Sequence, residues 1–293
     1  MDTRALIGAI EAATGFQLRG DSLAAVGGGC INEAVRIPTT EGTTLFVKLN
    51  AADRLAMFEA EAEGLQALAD CGALRVPRPL GSGTAGGRAW LALEYLSLEG
   101  TGGGARLGEG LAQQHRCTAR AFGWHRDNTI GATPQPNAWD DDWVRFWRER
   151  RLGFQLDLAA RQGYGGELQR LGERLLAALD VFFDDHRPVP SLLHGDLWGG
   201  NWGVLASGEP VLFDPAVYYG DREADIAMTE LFGGFGRDFR AAYEAAWPLD
   251  PGYRVRRTLY NLYHILNHLN LFGGGYLGQS LRMTEQLLAE IRG

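Results

Sequence analysis

The stretch His194–Ala216 reads HGDLWGGNWGVLASGEPVLFDPA. It sets two Asp and one Asn around a glycine-rich, tryptophan-bearing turn, with short apolar runs after it. Asp196 is followed five positions later by Asn201, and Asp214 ends the run VLFD. Phosphoryl transfer asks for residues of these types in this order. An Asp accepts a proton from an attacking hydroxyl. An Asn offers Mg²⁺ a neutral oxygen, and a strand-end Asp supplies a charged one. Mg²⁺ prefers oxygen ligands and keeps waters, so one amide, one carboxylate and phosphate oxygens suffice. The same residues are also ordinary surface features, Asp at strand ends and Asn in glycine-rich turns. The stretch alone leaves both readings open.

The chain has 293 residues, 45% of them hydrophobic, which suits one large domain or two lobes sharing a cleft. Its 28 Lys and Arg stand against 36 Asp and Glu, a net charge of −8. No basic nucleic-acid surface is expected from that balance. No apolar run reaches the length of a membrane span, and the start of the chain reads as an amphipathic helix rather than a signal peptide. Cys30, Cys71 and Cys117 form no disulfide framework and show no metal-ligand spacing. A reducing cytoplasm is the expected compartment.

Apolar β-branched pieces predict strands near 22–26, 31–37 and 43–49. Gly27-Gly28-Gly29 separates the first pair and Thr40-Glu41-Gly42 the second. Residues 3–13 and Phe58 to Leu68 have helical periodicity. VPRPLGSG reads as a turn region, and RAWLALEYL as a strand running into a Gly-rich linker at 100–104. Beyond it helices are expected at about 107–121, 140–161, 167–185, 223–232, 237–246, 252–271 and 279–291, with two short strands around the 194–216 stretch. The fold class is therefore α+β in two lobes: residues 1–99 as a small antiparallel β lobe with one main helix, ending in a hinge, and residues 100–293 as a larger, mostly helical lobe.

Lys48 interrupts the apolar strand LFVKLN. Lysines are rarely buried unless paired, although an exposed strand face would also hold one. The helix from Phe58 offers Glu59, Glu61 and Glu63. Periodicity puts Glu61 on the face of Phe58, Leu65 and Leu68, so Lys48–Glu61 is the pair expected to hold the amine against phosphates. Gly28, Gly29 and Cys30 let a backbone approach a phosphate, or form a plain hairpin turn. They match neither a Walker nor a Rossmann pattern. Backbone groups of Glu94, Tyr95 and Leu96 at the hinge could pair with an adenine edge, or belong to an edge strand.

GGGCINEA, HGDLWGGN and FDPAVYYGDREADIAM, with TPQPN at 133–137, closely resemble the fructosamine kinase (ketosamine-3-kinase) family, on the aminoglycoside-phosphotransferase-like branch of the protein-kinase-like fold. The resemblance covers almost the whole chain. It implies an enzyme that uses ATP and Mg²⁺ to phosphorylate the 3-hydroxyl of the sugar part of ketoamines, which then release the amine. The expected partners are small ketoamines or glycated protein lysines. By resemblance Asp196 is the catalytic base, Asn201 and Asp214 are metal ligands, and Lys48 with Glu61, the latter in the family's F-x-x-E, positions phosphate. Trp198 packs on the sugar, and Asp225 anchors the catalytic loop. Cys30 falls where some members use a cysteine for redox-dependent dimerisation; a monomer is otherwise expected. Gly199 replaces the serine of the family's HGDLWSGN, with a small expected effect.

His194 reads as a residue packed under the loop and bonding backbone. The other histidines show no metal spacing, and those at 264 and 268 read as helix packing. Two alternatives stay open. One is another small-molecule kinase of this fold, acting on an aminoglycoside, choline or homoserine. The other is a non-catalytic nucleotide-binding protein, which the presence of Lys48, Asp196, Asn201 and Asp214 together argues against.

Overall fold

The computed structural model describes residues 2–20, 23–27 and 31–291. The chain divides into two compact units, 1–103 with 202–215, and 104–201 with 216–293. The expected boundary after residue 99 differs from this division in two respects: the first unit runs to residue 103, and residues 202–215 join it. The reason is hydrogen bonding. The hairpin of β9 (Trp202–Val204) and β10 (Pro210–Leu212) accepts Gly100 N at Val204 O, and Leu212 N donates to Arg75 O, both at 2.9 Å.

The first unit opens with α1 (Thr3–Thr14), N-capped by the Asp2 carboxylate, which accepts from Ala5 N. Then come β1 (Ala24–Val26), β2 (Glu33–Pro38), β3 (Thr44–Ala51), α2 (Leu55–Cys71), β4 (Pro79–Ala85) and β5 (Arg88–Glu94). The five strands form one antiparallel sheet in the order β1-β2-β3-β5-β4. Strand alternation sorts β3 onto two faces. Leu45, Val47 and Leu49 join Leu6 and Ile10 of α1, with Trp90, in one buried cluster. Lys48, in register between Ala34 and Leu91, faces the other way.

β4 corrects the reading of VPRPLGSG as a turn. Pro, Gly and Ser are turn residues, but β4 is an edge strand that pairs with β5, and Pro79 is its first residue, where a missing N–H is tolerated. Cys71, at the end of α2, is disulfide-bonded, as is Cys117 in the second unit. The spacing of the cysteines gave no sign of this.

The second unit contains α3 (Gly104–Gln114), the hairpin β6 (Asn128–Ile130) and β7 (Thr133–Gln135), α4 (Trp143–Trp147), α5 (Phe154–Arg161) and α6 (Glu167–Ala177). β8 (Ser191–Leu193), β11 (Tyr218–Gly220), α7 (Glu223–Leu231), α8 (Arg237–Ala246), α9 (Tyr253–Phe272) and α10 (Leu277–Glu290) follow. The helix expected at 140–161 is instead α4 and α5 joined by a π-helical turn, Arg148–Gly153. α9 is buried along most of its length and packs against α5, α7 and α10. Among the described residues no helix is long and apolar enough to cross a membrane.

Candidate active site

In the first unit Lys48 is buried, at 5% exposure. Its Nζ donates to Glu61 Oε1 at 2.6 Å and to Asp214 Oδ1 at 2.5 Å. Burial alone would push the ammonium pKa down. Asp214 and Glu61 outweigh it and hold the pKa above its ordinary value. Burial raises the Glu61 carboxyl against the pull of Lys48, and the nearby charge of Asp214 adds to the rise. Two carboxylates therefore share one ammonium. Asp214 has φ 56, the left-handed region that non-glycine residues rarely adopt, and its side chain is 47% exposed. A backbone outlier of this kind, held by an ion pair to a buried lysine, is typical of functional positions.

At the hinge, Glu94 N donates to Arg78 O at 2.9 Å. The Glu94 carboxylate is spent within its own unit, on the Arg75 guanidinium and on Arg78 N. Tyr95 lies beside Arg36, whose Nη1 donates to its hydroxyl at 3.2 Å. Leu96 is half-buried. The side chains of Glu94 and Tyr95 thus have neighbours of their own. Gly28, Gly29 and Cys30 lie outside the described residues.

In the second unit, β8 delivers the chain into the loop His194–Asn201. The loop is gripped from below by Asp225 of α7, which is 1% exposed. Its two carboxylate oxygens accept from His194 N at 2.7 Å and from Gly195 N at 2.9 Å. Gly195 has φ 82, and a Cβ there would stand 2.0 Å from Ala216 O, so no side chain fits. His194 is buried and its Nδ1 accepts from Asp196 N at 3.3 Å, the backbone-bonding role read from the sequence. Asn201 Nδ2 donates to Asp196 O at 2.8 Å and to Asp196 Oδ2 at 3.2 Å. That contact directs the amide nitrogen at Asp196. An amide oxygen here and an exposed carboxylate at Asp214 are donors of the type Mg²⁺ takes. Trp198 is 41% exposed.

The sequence missed what lies behind Asp225. His115 Nε2 is 3.2 Å from Asp225 Oδ2, His115 Nδ1 is 2.8 Å from the Tyr243 hydroxyl, and Arg222 Nη1 donates to that hydroxyl at 3.1 Å. Burial lowers the His115 pKa and keeps the ring neutral. A neutral ring has one N–H, which the Asp225 carboxylate claims, leaving Nδ1 to accept from Tyr243. Although burial would raise Asp225, His115 and the loop amide hold its pKa below the usual carboxylate range. Nothing local marks His115 in LAQQHRC.

TPQPN proves to be a brace. Gln135 donates to Ala216 O at 3.1 Å and accepts from Tyr263 at 2.8 Å. Asn137 accepts from the buried Arg151 at 2.8 Å. Arg151 in turn lies 4.0 Å over the Tyr218 ring. Gly199, where the family motif has serine, could not take a side chain without movement: a Cβ would sit 2.8 Å from Gly233 O.

The model of the fructosamine kinase family matches residues 3–290. A probable ketoamine kinase of Synechocystis is 47% identical over 95% of this chain and 94% of its own length. A chloroplastic protein-ribulosamine 3-kinase of Arabidopsis thaliana is 42% identical over 92% of this chain and 83% of its own. The crystal structure of a candidate fructosamine-3-kinase from Thermobifida fusca is 32% identical and superposes with a TM-score of 0.86, covering 97% of this chain and 98% of that one.

Proposed function

The chain belongs to the fructosamine kinase family and is an ATP-dependent phosphotransferase; from that premise we propose that its acceptor is the 3-hydroxyl of the sugar part of a ketoamine. The phosphorylated adduct then falls apart and frees the amine, which makes the activity one of deglycation. The observation that carries the reading is the loop at 194–201, where a buried Asp225 holds two backbone N–H groups and so fixes the chain that presents Asp196.

Asp196 orients the acceptor hydroxyl and receives its proton as the new O–P bond forms and ADP leaves. Asn201 restrains Asp196 through its amide nitrogen and would hold Mg²⁺ through its oxygen, with Asp214 as the charged ligand. Bound Mg²⁺ would neutralise phosphate charge. Lys48, kept charged by its two carboxylates, positions phosphate oxygens, and Glu61 fixes the amine. The backbone of Glu94, Tyr95 and Leu96 meets adenine. Trp198 offers an apolar ring face to the sugar. Positioning and preorganised charge of this kind are most of what phosphoryl transfer requires of a protein.

The test is an acceptor screen with ATP and Mg²⁺ over ketoamines with ribose-, erythrose- and glucose-derived heads, aminoglycosides and choline. Phosphorylation of ketoamines followed by free amine is expected. Turnover of an aminoglycoside or choline with ketoamines untouched contradicts the reading.

A further inference from the structure

Ser191 opens β8, three residues before His194. Its hydroxyl is fully buried and has no hydrogen-bond partner among the described residues. Ser191 lines a cleft of about 380 Å³ within the second unit, along with His186, Arg187, Arg222 and Trp247. The two-stranded pairing of β8 with β11 runs from this cleft towards the loop at 194–201. Gly220 pairs with Ser191 at one end, and Tyr218 pairs with Leu193 at the loop end.

Two guanidinium groups meet the cleft, and the hydrogen bonds of both go to neutral oxygens. Arg187 Nη1 donates to the backbone carbonyls of Phe183, Asp184 and His186. Arg222 donates to the Tyr243 hydroxyl and to Trp247 O and Pro248 O. Each guanidinium has five N–H donors, so donors are in surplus. The neighbouring carboxylates are largely committed. Asp221 accepts from His186 at 2.8 Å, Tyr260 at 2.5 Å and Glu223 N at 3.0 Å. Asp250 Oδ1 accepts from Arg256 at 2.8 Å and Gly252 N at 2.9 Å. Asp185 adds one exposed charge at the rim. His186, Asp221 and Glu223 lie close enough together to suggest a cation site. Yet Arg256 grips both oxygens of Glu223, at 2.7 and 3.1 Å, and closes the cluster as an internal ion-pair network.

We propose that this cleft is a second, non-catalytic site for a small oxyanion, a phosphate or a carboxylate, and that its occupancy is felt at the catalytic loop through Arg222. A hydrogen bond from a guanidinium to an anion is stronger than one to a neutral oxygen. An oxyanion in the cleft therefore competes with the Tyr243 hydroxyl for the N–H groups of Arg222. The path from there is continuous: Tyr243 to His115, His115 to Asp225, and Asp225 to the backbone of His194 and Gly195. Slackening its first bond loosens the support of the loop that carries Asp196. Burial would lower the His186 pKa, but Asp221 outweighs it and raises the pKa, which adds positive character to the wall.

The binding arm of the test does not depend on which acceptor the enzyme phosphorylates. Inorganic phosphate, and separately acetate, is titrated calorimetrically into the full chain with the nucleotide site saturated by a non-hydrolysable ATP analogue. Saturable millimolar binding of at least one anion is expected, weakened at least about tenfold in Arg187→Glu at unchanged Tm. Comparing the two anions tells a phosphate site from a carboxylate site. At saturating ATP and ketoamine, the bound anion should lower wild-type kcat about twofold or more and leave Arg187→Glu insensitive. The proposal is overturned if neither anion binds, if Arg187→Glu binds as wild type does, or if saturation leaves wild-type kcat unchanged.

Discussion

At the scale of single residues, Lys48, Glu61 and Asp225 separate what can be read locally from what cannot. Lys48 was legible because a lone cation in an apolar strand needs a partner, and Glu61 because helical periodicity puts it on the buried face; the structure joins them at 2.6 Å. That Lys48 also reaches Asp214, 166 positions away, was not legible. Removing the Glu61 charge leaves the amine with Asp214 alone. Glu61→Gln should raise the KM for ATP about tenfold, with a smaller fall in kcat, in steady-state kinetics. An unchanged KM would remove Glu61 from phosphate positioning. Asp225 is buried and holds the loop by its backbone. Asp225→Asn loses charge-assisted bonds to buried N–H groups, and denaturant unfolding should show a loss of about 2–3 kcal/mol. For Asp196→Asn, kcat should fall by about a thousandfold or more while ATP affinity, measured by calorimetry, stays near wild type.

At the scale of elements, strongly periodic segments were readable and irregular ones were not. α2 and β3 declare themselves by spacing. β4 did not, since its residues are those of a turn and only its pairing with β5 makes it a strand. The π-helical turn at Arg148–Gly153 left no mark in a sequence that otherwise continues as helix. The loop at 194–201 stood out in the sequence as HGD…N. The reason for its glycines lies in distant backbone, Ala216 O against Gly195 and Gly233 O against Gly199. Gly195→Ala combines a left-handed backbone with a backbone collision and should destabilise by more than about 2 kcal/mol, seen as a lowered denaturant midpoint. A wild-type midpoint would mean that the Gly195–Ala216 contact is relaxed easily.

At the scale of the whole molecule, the two-lobed α+β fold was legible from the change between strand-rich and helix-rich halves. The return of residues 202–215 to the first unit was not, because it rests on long-range pairing. Nor was the relay behind the loop, whose members lie 110 and 128 positions apart. The same burial gives the fold an acid sensitivity. Burial lowers the pKa of His115, His264 and His268, that of His264 to about 3. A histidine that is neutral when folded and takes a proton when unfolded contributes stability above its unfolded value of 6.5, lost as pH falls below it. His186, whose pKa is raised, works in the opposite sense, its contribution being lost as pH rises above 6.5. Asp221 and Asp225 matter only below their ordinary value near 3.8. Between pH 6.5 and 4, His264 alone should tilt unfolding free energy by about 1.4 kcal/mol per pH unit. His264→Phe should flatten the slope by that amount, and an unaltered slope would mean that His264 does not stay neutral. The most direct measurement of the central claim is the site of phosphorylation. The enzyme is incubated with ATP, Mg²⁺ and a ribose-derived ketoamine of lysine, and the product is examined by phosphorus–proton correlation NMR. The phosphorus should couple to the proton on C3 of the sugar, with one ADP formed per adduct. Phosphorus on another hydroxyl, or ADP formed without any phosphorylated ketoamine, would contradict it.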